Sequence, residues 1–459
     1  TEQRQAHPDV ATANKQALDD LQKGMEAVRF VIADPLAPAA GGIVLGEPGD
    51  LAEALDGILP DIAPVSLEAG SRGVAMARAL LEHWSERDHG PEQAAGDLHV
   101  DPLATLARHG RLGQSIEAAF ADLASIVADT AAYTRVRPVG VDLRLAHDAG
   151  AGPSLELAVG LALAAEVLRR LDDAGIEPDR AVAALTFLVP VDDDVFTGIA
   201  KLRALRRCWS TMVEAVGGSA APRLVAETSR RMLARRDAYI NLLRNTVAGF
   251  AGGVGGADAL TVLPFTDAMG LPGKPARRMA RNTQLILLDE AHLSHVVDPA
   301  GGSWYVEALT EQMADAAWRQ FQELEGAGGF LQGLESGDLH ARIGAQWESR
   351  KKALATRREM ITGVSAFPLI DEHEVELDPF DAGALAAELE RVAPAPAVTA
   401  LCGDRLGEPA KPELRDVVAD LVRGDVVAVD RRHVPDRAHA VVRRADVRNC
   451  LARQIQRCP

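Results

Sequence analysis

Two histidines three residues apart stand beside two carboxylates in the segment RNTQLILLDEAHLSHVVDPAGGSWYVE, residues 281–307. His292 and His295, with Asp289 and Glu290 within one turn, could form a metal or proton-transfer site, because helical spacing places both rings on one face. A zinc site would need a third ligand, and no His-Glu-x-x-His motif supplies one. We therefore predict a structural role near a helix C-terminus, where histidine complements the helix dipole.

A second candidate pair, His147 and Asp148, directly follows the apolar stretch PVGVDLRL at 138–145. Active-site residues of parallel barrels lie at the carboxyl ends of the strands, so the two side chains could form a general acid/base pair. The competing interpretation is that Asp148 helps to build the turn while His147 hydrogen-bonds the backbone. The spacing leaves both interpretations open and favours the second.

Four arginines follow another predicted strand, in the segment ETSRRMLARRDAY at 227–239. Arg230, Arg231, Arg235 and Arg236 could hold a phosphorylated ligand at a barrel mouth. They could equally pair with the abundant acidic residues or face a partner protein. We favour these latter interpretations.

The glycine-rich segment AGGVGGAD, residues 251–258, could suggest a dinucleotide site. It follows a predicted helix and precedes a predicted strand, which is the reverse of the order that a phosphate-cradling loop needs. We predict a tight helix-to-strand turn with a glycine at positive φ.

Short apolar strands alternate with longer amphipathic helices through most of the chain. The predicted strands are the end of 9–32 and residues 41–48, 62–70, 137–145, 182–190, 222–228 and 257–265. Such alternation indicates a parallel sheet with helical crossovers, and the number of units favours a (β/α)₈ barrel over a short doubly wound sheet. Because the chain begins at Thr1 without Met, we expect missing N-terminal sequence to supply the remaining unit.

The pattern changes after Trp304. We predict a barrel over residues 1–310, a helical and extended linker over 311–392, and a degenerate or incomplete α/β domain over 393–459. The proline-rich segment APAPAV at 393–398 marks the second boundary.

Composition restricts the partners. Lys and Arg number 49 against 66 Asp and Glu, a net charge of −17 that disfavours nucleic acid and anionic lipid. No apolar run is long enough to span a membrane. Four cysteines without a Cys-x-x-Cys pair are typical of reduced thiols, so we expect a cytoplasmic protein.

The histidine segment, extended to ARNTQLILLDEAHLSHVVDPAGGSWYVE at 280–307, closely resembles the end of the barrel in the methylmalonyl-CoA mutase family of adenosylcobalamin-dependent acyl-CoA mutases. Similar blocks occur at 199–209, 241–265 and 361–368, and the resemblance covers roughly residues 10–370. In that family a (β/α)₈ barrel threads the CoA ester along its axis, and a C-terminal domain carries the cobalamin. The resemblance implies the same barrel here.

This chain departs from the catalytic pattern at three strand ends. Where catalytic members have Gly-Tyr-His-Met-Gln-Glu-Ala-Gly-Ala, this chain has LRLAHDAGA, which puts Arg144 at the tyrosine and Leu145 at the catalytic histidine. In the Thr-Ser-Gly-Trp-Ser-x-x-x-Gln motif, arginines replace Gly, Trp and Gln, and a His-Thr-Asn run becomes 261–263, Thr-Val-Leu. The sequence most similar to the cobalt-ligand motif Asp-x-His-x-x-Gly is DRRHVPDR at 430–437, which has the wrong spacing and lacks the glycine. The resemblance therefore implies that residues 393–459 are the remnant of a cobalamin-binding-like domain.

These departures resemble the small (β) subunits of heterodimeric bacterial members. The resemblance implies a non-catalytic subunit that forms a heterodimer with a homologous large (α) subunit, which binds adenosylcobalamin and interconverts (R)-methylmalonyl-CoA and succinyl-CoA. We accordingly expect no catalytic, cofactor-binding or metal-binding residue on this chain, with His147 the one catalytic candidate. The alternatives are an active acyl-CoA mutase subunit that borrows a cobalamin domain and uses His147, and a regulatory protein that binds CoA esters through the arginine cluster.

Overall fold

The computed structural model describes residues 1–37, 41–372, 374–379 and 398–401. Its strands are β1 (Glu2–Gln5), β2 (Ala27–Val31), β3 (Val65–Glu68), β4 (Gly96–Val100), β5 (Val136–Asp142), β6 (Leu185–Val191), β7 (Arg223–Thr228) and β8 (Ala259–Thr261). Its helices are α1 (Val10–Gln22), α2 (Leu51–Ala54), α3 (Gly73–Glu86), α4 (Pro102–His109), α5 (Ile116–Asp129), α6 (Arg144–Ala149), α7 (Pro153–Asp173), α8 (Pro178–Ala183), α9 (Val195–Val216), α10 (Ile240–Val254), α11 (Lys274–Leu285), α12 (Trp304–Gly326), α13 (Gly329–Ser336) and α14 (Asp338–Ala355).

The eight strands form one parallel sheet in the order β3-β2-β1-β8-β7-β6-β5-β4. The two end strands meet where the Val65 amide donates to the Ala95 carbonyl at 2.9 Å, which brings the sheet close to a closed cylinder. Gly96 makes this approach feasible, because a Cβ at that position would lie 1.8 Å from the Val65 carbonyl oxygen. The (β/α)₈ barrel predicted from the sequence is confirmed.

The strand assignments needed two corrections. The remaining barrel unit, expected from sequence before Thr1, is instead completed by β1 and β4, which the apolar pattern missed. The strand predicted at 41–48 is wrong: within this stretch only Ile43 bridges the end of β2, at Ile32, and the rest is loop and turn. A left-handed Gly42, with φ of 119°, turns the chain there.

The helices pack around the barrel, and most buried apolar side chains form one large hydrophobic core, with two smaller separate clusters. Large aromatic side chains anchor it; Phe187 of β6 meets Trp209 of α9 edge-on, with ring centroids 4.9 Å apart. Beyond the barrel helices, α12 packs along α7 and α9, and buried Phe321 and Leu324 join the same core. The predicted boundaries at 310 and 392 stay predictions, and the proposed α/β remnant lies outside the described residues except for 398–401.

The segment at 281–307 does not carry both histidines on one helix. Helix α11 ends at Leu285, a π-helical turn covers Ile286–Glu290, and His292 adopts a left-handed backbone with φ of 54° before a short 3₁₀ turn. The rings of His292 and His295 instead stack, with centroids 4.5 Å apart. The following turn is tied to α9 by Arg203, which pairs with Asp298 and lies 2.7 Å from Glu307.

The turn at 251–258 is as predicted. Helix α10 ends at Val254, and Gly256 has φ of 81° before β8 begins. Among the helices of the described residues, none is long and apolar enough to cross a membrane.

Candidate functional site

The barrel interior is polar and charged. Alternate residues of a strand point to the same face of a sheet, and (β/α)₈ interiors are usually filled by branched aliphatic side chains. Here the alternate buried positions carry charge instead: Glu2 on β1, Arg29 on β2, Asp97 on β4 and Glu227 on β7. Four strands of this barrel therefore place charged side chains near its axis.

Arg29 lies at the centre of this interior and is fully buried. Its Nε donates to Glu2 at 2.9 Å, and its terminal nitrogens reach Glu227 at 2.9 Å and Thr261 at 2.5 Å. A third carboxylate, that of Glu68, lies 3.4 Å away. The guanidinium thus bridges β2 to β1, β3, β7 and β8.

Arg144, the first residue of α6, forms a second node above the carboxyl end of β5. It makes a two-pronged contact with Asp142, with both nitrogen–oxygen distances 2.9 Å. The same guanidinium reaches Glu227 and Glu68, each at 3.0 Å. Because Glu68 and Glu227 contact both arginines, the two nodes form one network, which we call the axial ion network.

The axial ion network holds Glu2 and Asp142 in their charged forms. Burial alone would raise the pKa of Glu2, but Arg29, His99 and the Thr261 hydroxyl together outweigh burial and lower the pKa to about 2. Likewise, burial is opposed by Arg144 and Arg108, and the pKa of Asp142 falls to about 2. These carboxylates are therefore ill suited to proton transfer near neutral pH.

A lower polar layer closes the opposite end of the axis. Asp97 accepts from Arg223 at 2.8 Å and from Thr186 at 2.6 Å. With the axial ion network above it, this layer fills the barrel interior with side chains. An extended ligand has no continuous path along the axis.

A cavity of about 660 Å³ lies at the end of the barrel that is formed by the carboxyl ends of the strands. Its lining includes Arg4, Glu68, His99, Asp101, Arg108, Asp142, Arg144, Asp148 and Arg230. His99 has a left-handed backbone, with φ of 45°, and neither ring nitrogen has a hydrogen-bond partner in the described structure. Burial lowers the pKa of His99, so the ring is favoured in its neutral form.

Asp101 caps α4 at this mouth, accepting from the Ala104 amide at 2.8 Å and the Asp142 amide at 3.2 Å. Burial, reinforced by the nearby Asp142 charge, raises its pKa to about 7. The folded protein therefore binds a proton here that the unfolded chain has released, and the stability that this carboxyl contributes falls as pH rises from about 4 to about 7.

Replacing Asp101 with asparagine should flatten this part of the pH dependence. One pKa unit corresponds to about 1.4 kcal/mol, so the charged carboxyl costs on the order of 4 kcal/mol above pH 7. We expect Asp101→Asn to gain stability relative to the wild type between pH 5 and pH 8, as measured by urea unfolding at both values.

Asp9→Asn provides the control for this experiment. Asp9 caps α1 at an exposed position, and hydrogen bonds from Thr12 lower the pKa of its carboxyl. Its contribution is fully present above the ordinary pKa of about 4 and is lost only at lower pH, so Asp9→Asn should leave the slope between pH 5 and pH 8 like that of the wild type. Parallel pH profiles for Asp101→Asn and the wild type would contradict the role assigned to Asp101.

His147, the one catalytic candidate from the sequence, does not line the cavity. It lies on α6 and is buried, with Nδ1 2.9 Å from Glu156 and Nε2 2.6 Å from the Ser229 hydroxyl. Lys201 of α9 donates to the other oxygen of Glu156 at 2.8 Å. Burial, reinforced by Arg231 and Lys201, lowers the pKa of His147 well below its usual range, which disfavours a charged ring.

The order Ser229, His147, Glu156 is that of a nucleophilic triad, but its surroundings are those of a core. The accessible fraction of the Ser229 and His147 residues is 1% each, and Glu156 is neutralised by Lys201. Ser229 also accepts from the Arg231 amide at 3.1 Å. We interpret these four side chains, Ser229, His147, Glu156 and Lys201, as a structural chain that joins α6, α7, α9 and the end of β7.

Three of the four clustered arginines are occupied by protein contacts. Arg230 pairs with Asp267 at 2.6 Å, and Arg236 pairs with Glu372 at 3.3 Å. Arg231 donates to the backbone carbonyls of His147 and Ala151 at 2.7 and 3.0 Å. The favoured interpretation included salt bridges to acidic residues, and this part is confirmed for Arg230 and Arg236, whereas the hydrogen bonds of Arg231 go to backbone carbonyls.

The described residues contain no group of three or more His, Cys, Asp or Glu side chains placed to hold a metal ion. The sequence interpretation also missed Arg29, Glu2 and Glu68, the residues that fill the axis. The sequence did contain a signal for Arg29, which stands between Val28 and Phe30 in an apolar strand. Because successive side chains of a strand point to opposite faces, a single charged residue in such a strand indicates a charge directed into the barrel.

Comparison with known proteins agrees with the fold. A profile of the family described as Methylmalonyl-CoA mutase matches residues 39–399. The methylmalonyl-CoA mutase small subunit of Streptomyces virginiae is 44% identical over 82% of this chain and 60% of its own length. That of Propionibacterium freudenreichii subsp. shermanii is 36% identical over 82% of this chain and 57% of its own length.

A more distant relative is the methylmalonyl-CoA mutase large subunit of Streptomyces virginiae, 27% identical over 76% of this chain and 48% of its own length. This chain thus spans about 60% or less of the length of these relatives. The matched region includes most of the barrel strands and the cavity at their carboxyl ends. By the extent of the family match, the chain belongs to the methylmalonyl-CoA mutase family.

Proposed function

We propose that this chain is the non-catalytic small subunit of an adenosylcobalamin-dependent methylmalonyl-CoA mutase. It would support a homologous large subunit that interconverts (R)-methylmalonyl-CoA and succinyl-CoA. The names of its relatives support the assignment to a small subunit, and a cytoplasmic location follows from the same proposal.

The observation that carries the non-catalytic role is the axial ion network. Arg144 and Arg29 occupy the region through which the family resemblance would thread a CoA ester, and four carboxylates hold them there. Leu145, which the resemblance puts at the catalytic histidine, is fully buried in the core. An aliphatic side chain can neither polarise a thioester carbonyl nor transfer a proton.

Neither His147 nor His99 is placed to serve as the histidine ligand of a corrin cobalt. A cobalt ligand requires a histidine nitrogen that can reach a cofactor outside the protein core. His147 is committed on both nitrogens to Glu156 and Ser229, and His99 lies inside the barrel. The segment 430–437 lies outside the described residues. We therefore propose that the cofactor binds to the large subunit.

Turnover assays test the proposal directly. With added adenosylcobalamin and methylmalonyl-CoA, we expect no succinyl-CoA from this chain alone and full turnover when the large subunit is present. His147→Gln should leave turnover of the complex within about twofold of the wild type, because a residue outside the reaction changes no transition-state contact. Glutamine preserves the option of a hydrogen bond to Ser229, and circular dichroism checks that the variant is folded.

Two outcomes separate the alternatives. Turnover by the isolated chain, or its loss in a folded His147→Gln complex, would favour an active subunit. Calorimetric titration of the isolated chain with methylmalonyl-CoA is expected to give no binding heat. Saturable binding that is weakened by Arg230→Ala would favour the regulatory, CoA-ester-binding alternative.

A further inference from the structure

Helix α10 presents its large apolar side chains to solvent. Leu243, Val247 and Phe250 recur at a spacing of four and three residues and therefore share one helix face. They are 64%, 36% and 38% exposed. We call these three residues the α10 patch. A barrel helix in contact with water normally turns polar residues outward, so this face has the composition of a contact surface.

The opposite face of α10 explains the arrangement. It carries small residues, Ala248, Ala251 and Gly252, all buried. A Cβ on Gly252 would lie 3.1 Å from Leu260 and 3.3 Å from Ala226, so the helix lies close against β7 and β8. With the inner face filled by backbone and methyl groups, the bulky residues of α10 have no place in this chain's own core.

The segment that follows α11 extends the patch. Leu287 and Leu293 pack onto α10 at Gly249 and Gly253, where an added Cβ would lie 3.1 Å from each leucine. This packing brings Val296 and Val297 to the same side of the barrel, and Val297 is 97% exposed. Contiguous exposed apolar surface of this kind marks sites of protein–protein contact.

The exposed face of α10 carries little charge. The chain carries a net charge of −17, yet Arg244 is the one charged residue of α10, and its side chain turns inward to Asn241 and the Thr362 carbonyl. Helix α10 therefore offers an uncharged face, and the exposed acids of the adjoining segment at 286–297 are Asp289 and Glu290. An uncharged face can approach another protein without electrostatic repulsion. Interface centres are similarly depleted in charge and enriched in aromatic residues.

Helix α10 is long enough to lie at the centre of a subunit interface. At 1.5 Å per residue, it is about 22 Å long. Each partner in a stable complex buries roughly 800 Å², so an interface centred on the α10 patch would also include the segment at 286–297 and neighbouring surface.

We propose that the α10 patch is the docking surface for the large subunit of the mutase. This inference rests on the proposed function, which requires a surface for a second, homologous barrel. The large-subunit relative aligns with 76% of this chain, so its own barrel helices can oppose α10 across a pseudo-twofold axis. A partner distinct from this chain also agrees with the small-subunit names of its relatives.

Two charges placed in the patch should break the complex. Leu243→Asp with Phe250→Asp would bury uncompensated carboxylates at the interface centre, and we expect the Kd for the large subunit to rise by about 100-fold or more. Both positions are exposed, so the melting temperature of the isolated chain should stay near that of the wild type. Ile62→Asp is the matched control: Ile62 is 72% exposed and precedes β3, across the barrel from β7 and α10, and it should leave the Kd unchanged.

Photocrosslinking identifies the occupant. The full chain, carrying benzoylphenylalanine at position 243, is co-expressed with the large subunit, and the crosslinked peptides are identified by mass spectrometry. We expect peptides of the large subunit from position 243 and none from position 62.

The outcomes distinguish this inference from the function on which it rests. If the unmodified chain forms no complex with the large subunit, the proposed function fails. If it forms the complex and the double variant binds with unchanged Kd, the docking surface is wrong while the function stands. Crosslinks from position 243 only to a second copy of this chain, to its own residues 402–459, or to nothing in an intact complex would likewise overturn the inference.

Discussion

Arg29→Met will lower the free energy of unfolding by about 3–5 kcal/mol, because it leaves buried carboxylates without their counter-ion. Glu2 and Glu227 lie 2.7 Å and 2.9 Å from the Arg29 guanidinium, and the two carboxylate side chains are 2% and 8% exposed. Methionine can fill the volume but can donate no hydrogen bond. Urea unfolding followed by circular dichroism at pH 7 measures the loss.

The effect should shrink as the solution is acidified. Arg29, together with His99 and the Thr261 hydroxyl, lowers the pKa of Glu2 from 4.5 to about 2, so the pair contributes stability above pH 4.5 that is lost as pH falls toward 2. In Arg29→Met this contribution is absent, and acidification to pH 4 should narrow the difference from the wild type. A difference that widens on acidification would contradict the charge assignment of the axial ion network.

Two further variants show whether the loss comes from the buried charge. Arg29→Met combined with Glu2→Gln removes one of the orphaned carboxylates and should recover part of the stability. Arg78→Met, at an exposed pair 3.9 Å from Asp129, should change the free energy of unfolding by less than about 1 kcal/mol. Equal losses for Arg29→Met and Arg78→Met would remove the basis for a network at the axis.

The same network explains which strands the sequence revealed. Strands buried on both faces in a parallel sheet read as continuous apolar runs, and β6, with the sequence LTFLVPV, fits that description. Strand β1, with the sequence EQRQ, does not. Its inward residue Glu2 belongs to the axial ion network, while outward Gln5 bonds to Asp20 of α1 at 3.0 Å. An apolar criterion could not find a strand that is polar on both faces.

Strand β4 was missed for a related reason. Asp97 and His99 point inward, to the lower polar layer and the cavity, and interrupt the apolar pattern of GDLHV. The overall barrel was still predictable, since the helices between strands keep their spacing. Polar residues in the barrel interior hid β1 and β4 from a search for apolar strands, but the helices between the strands could still be predicted.

The candidate site was predictable only in part. Comparison with the family motif at one strand end showed that Leu145 replaces the histidine and Arg144 replaces the tyrosine, because the spacing of a motif is local. The partners of Arg144 could not, since Glu68 and Glu227 lie 76 and 83 residues away in the chain. Pairing across a barrel depends on which strands are neighbours and on their register, and neither is written in a single local motif.

His147 shows the same limit from the other side. Its place after β5 allowed a catalytic role, and the sequence did not reveal that it points away from the cavity. Glu156, only nine residues later, lies one turn into α7 and meets the ring at 2.9 Å. Helix α6 turns His147 outward from the axis, and this turn decides between acid/base chemistry and a structural hydrogen bond.

Lys201→Met should therefore cost nearly as much as the loss of Arg29, about 3–5 kcal/mol in the free energy of unfolding. The Lys201 side chain is 3% exposed and lies 2.8 Å from Glu156, whose side chain is 1% exposed. Burial already raises the pKa of Glu156, and loss of the Lys201 ammonium group removes the largest effect that opposes it. Urea unfolding at pH 7 measures the loss, and Lys23→Met, at an exposed helical pair with Asp19, should change stability by only about 0.3–0.5 kcal/mol.

The pH dependence of this loss has a defined sign. In Lys201→Met the folded state favours a protonated Glu156, so the penalty grows as pH rises above the unfolded pKa and diminishes below it. The double variant Lys201→Met with Glu156→Gln removes the charge and keeps an acceptor for His147, and it should recover most of the stability at pH 7. A loss that is the same at pH 4 and pH 7, or a double variant no more stable than Lys201→Met, would mean that packing of the lysine stem, and not its charge, holds α9 to α7. Neither Lys201 nor Glu156 lines the cavity, so the loss of this ion pair should lower the stability of the whole fold.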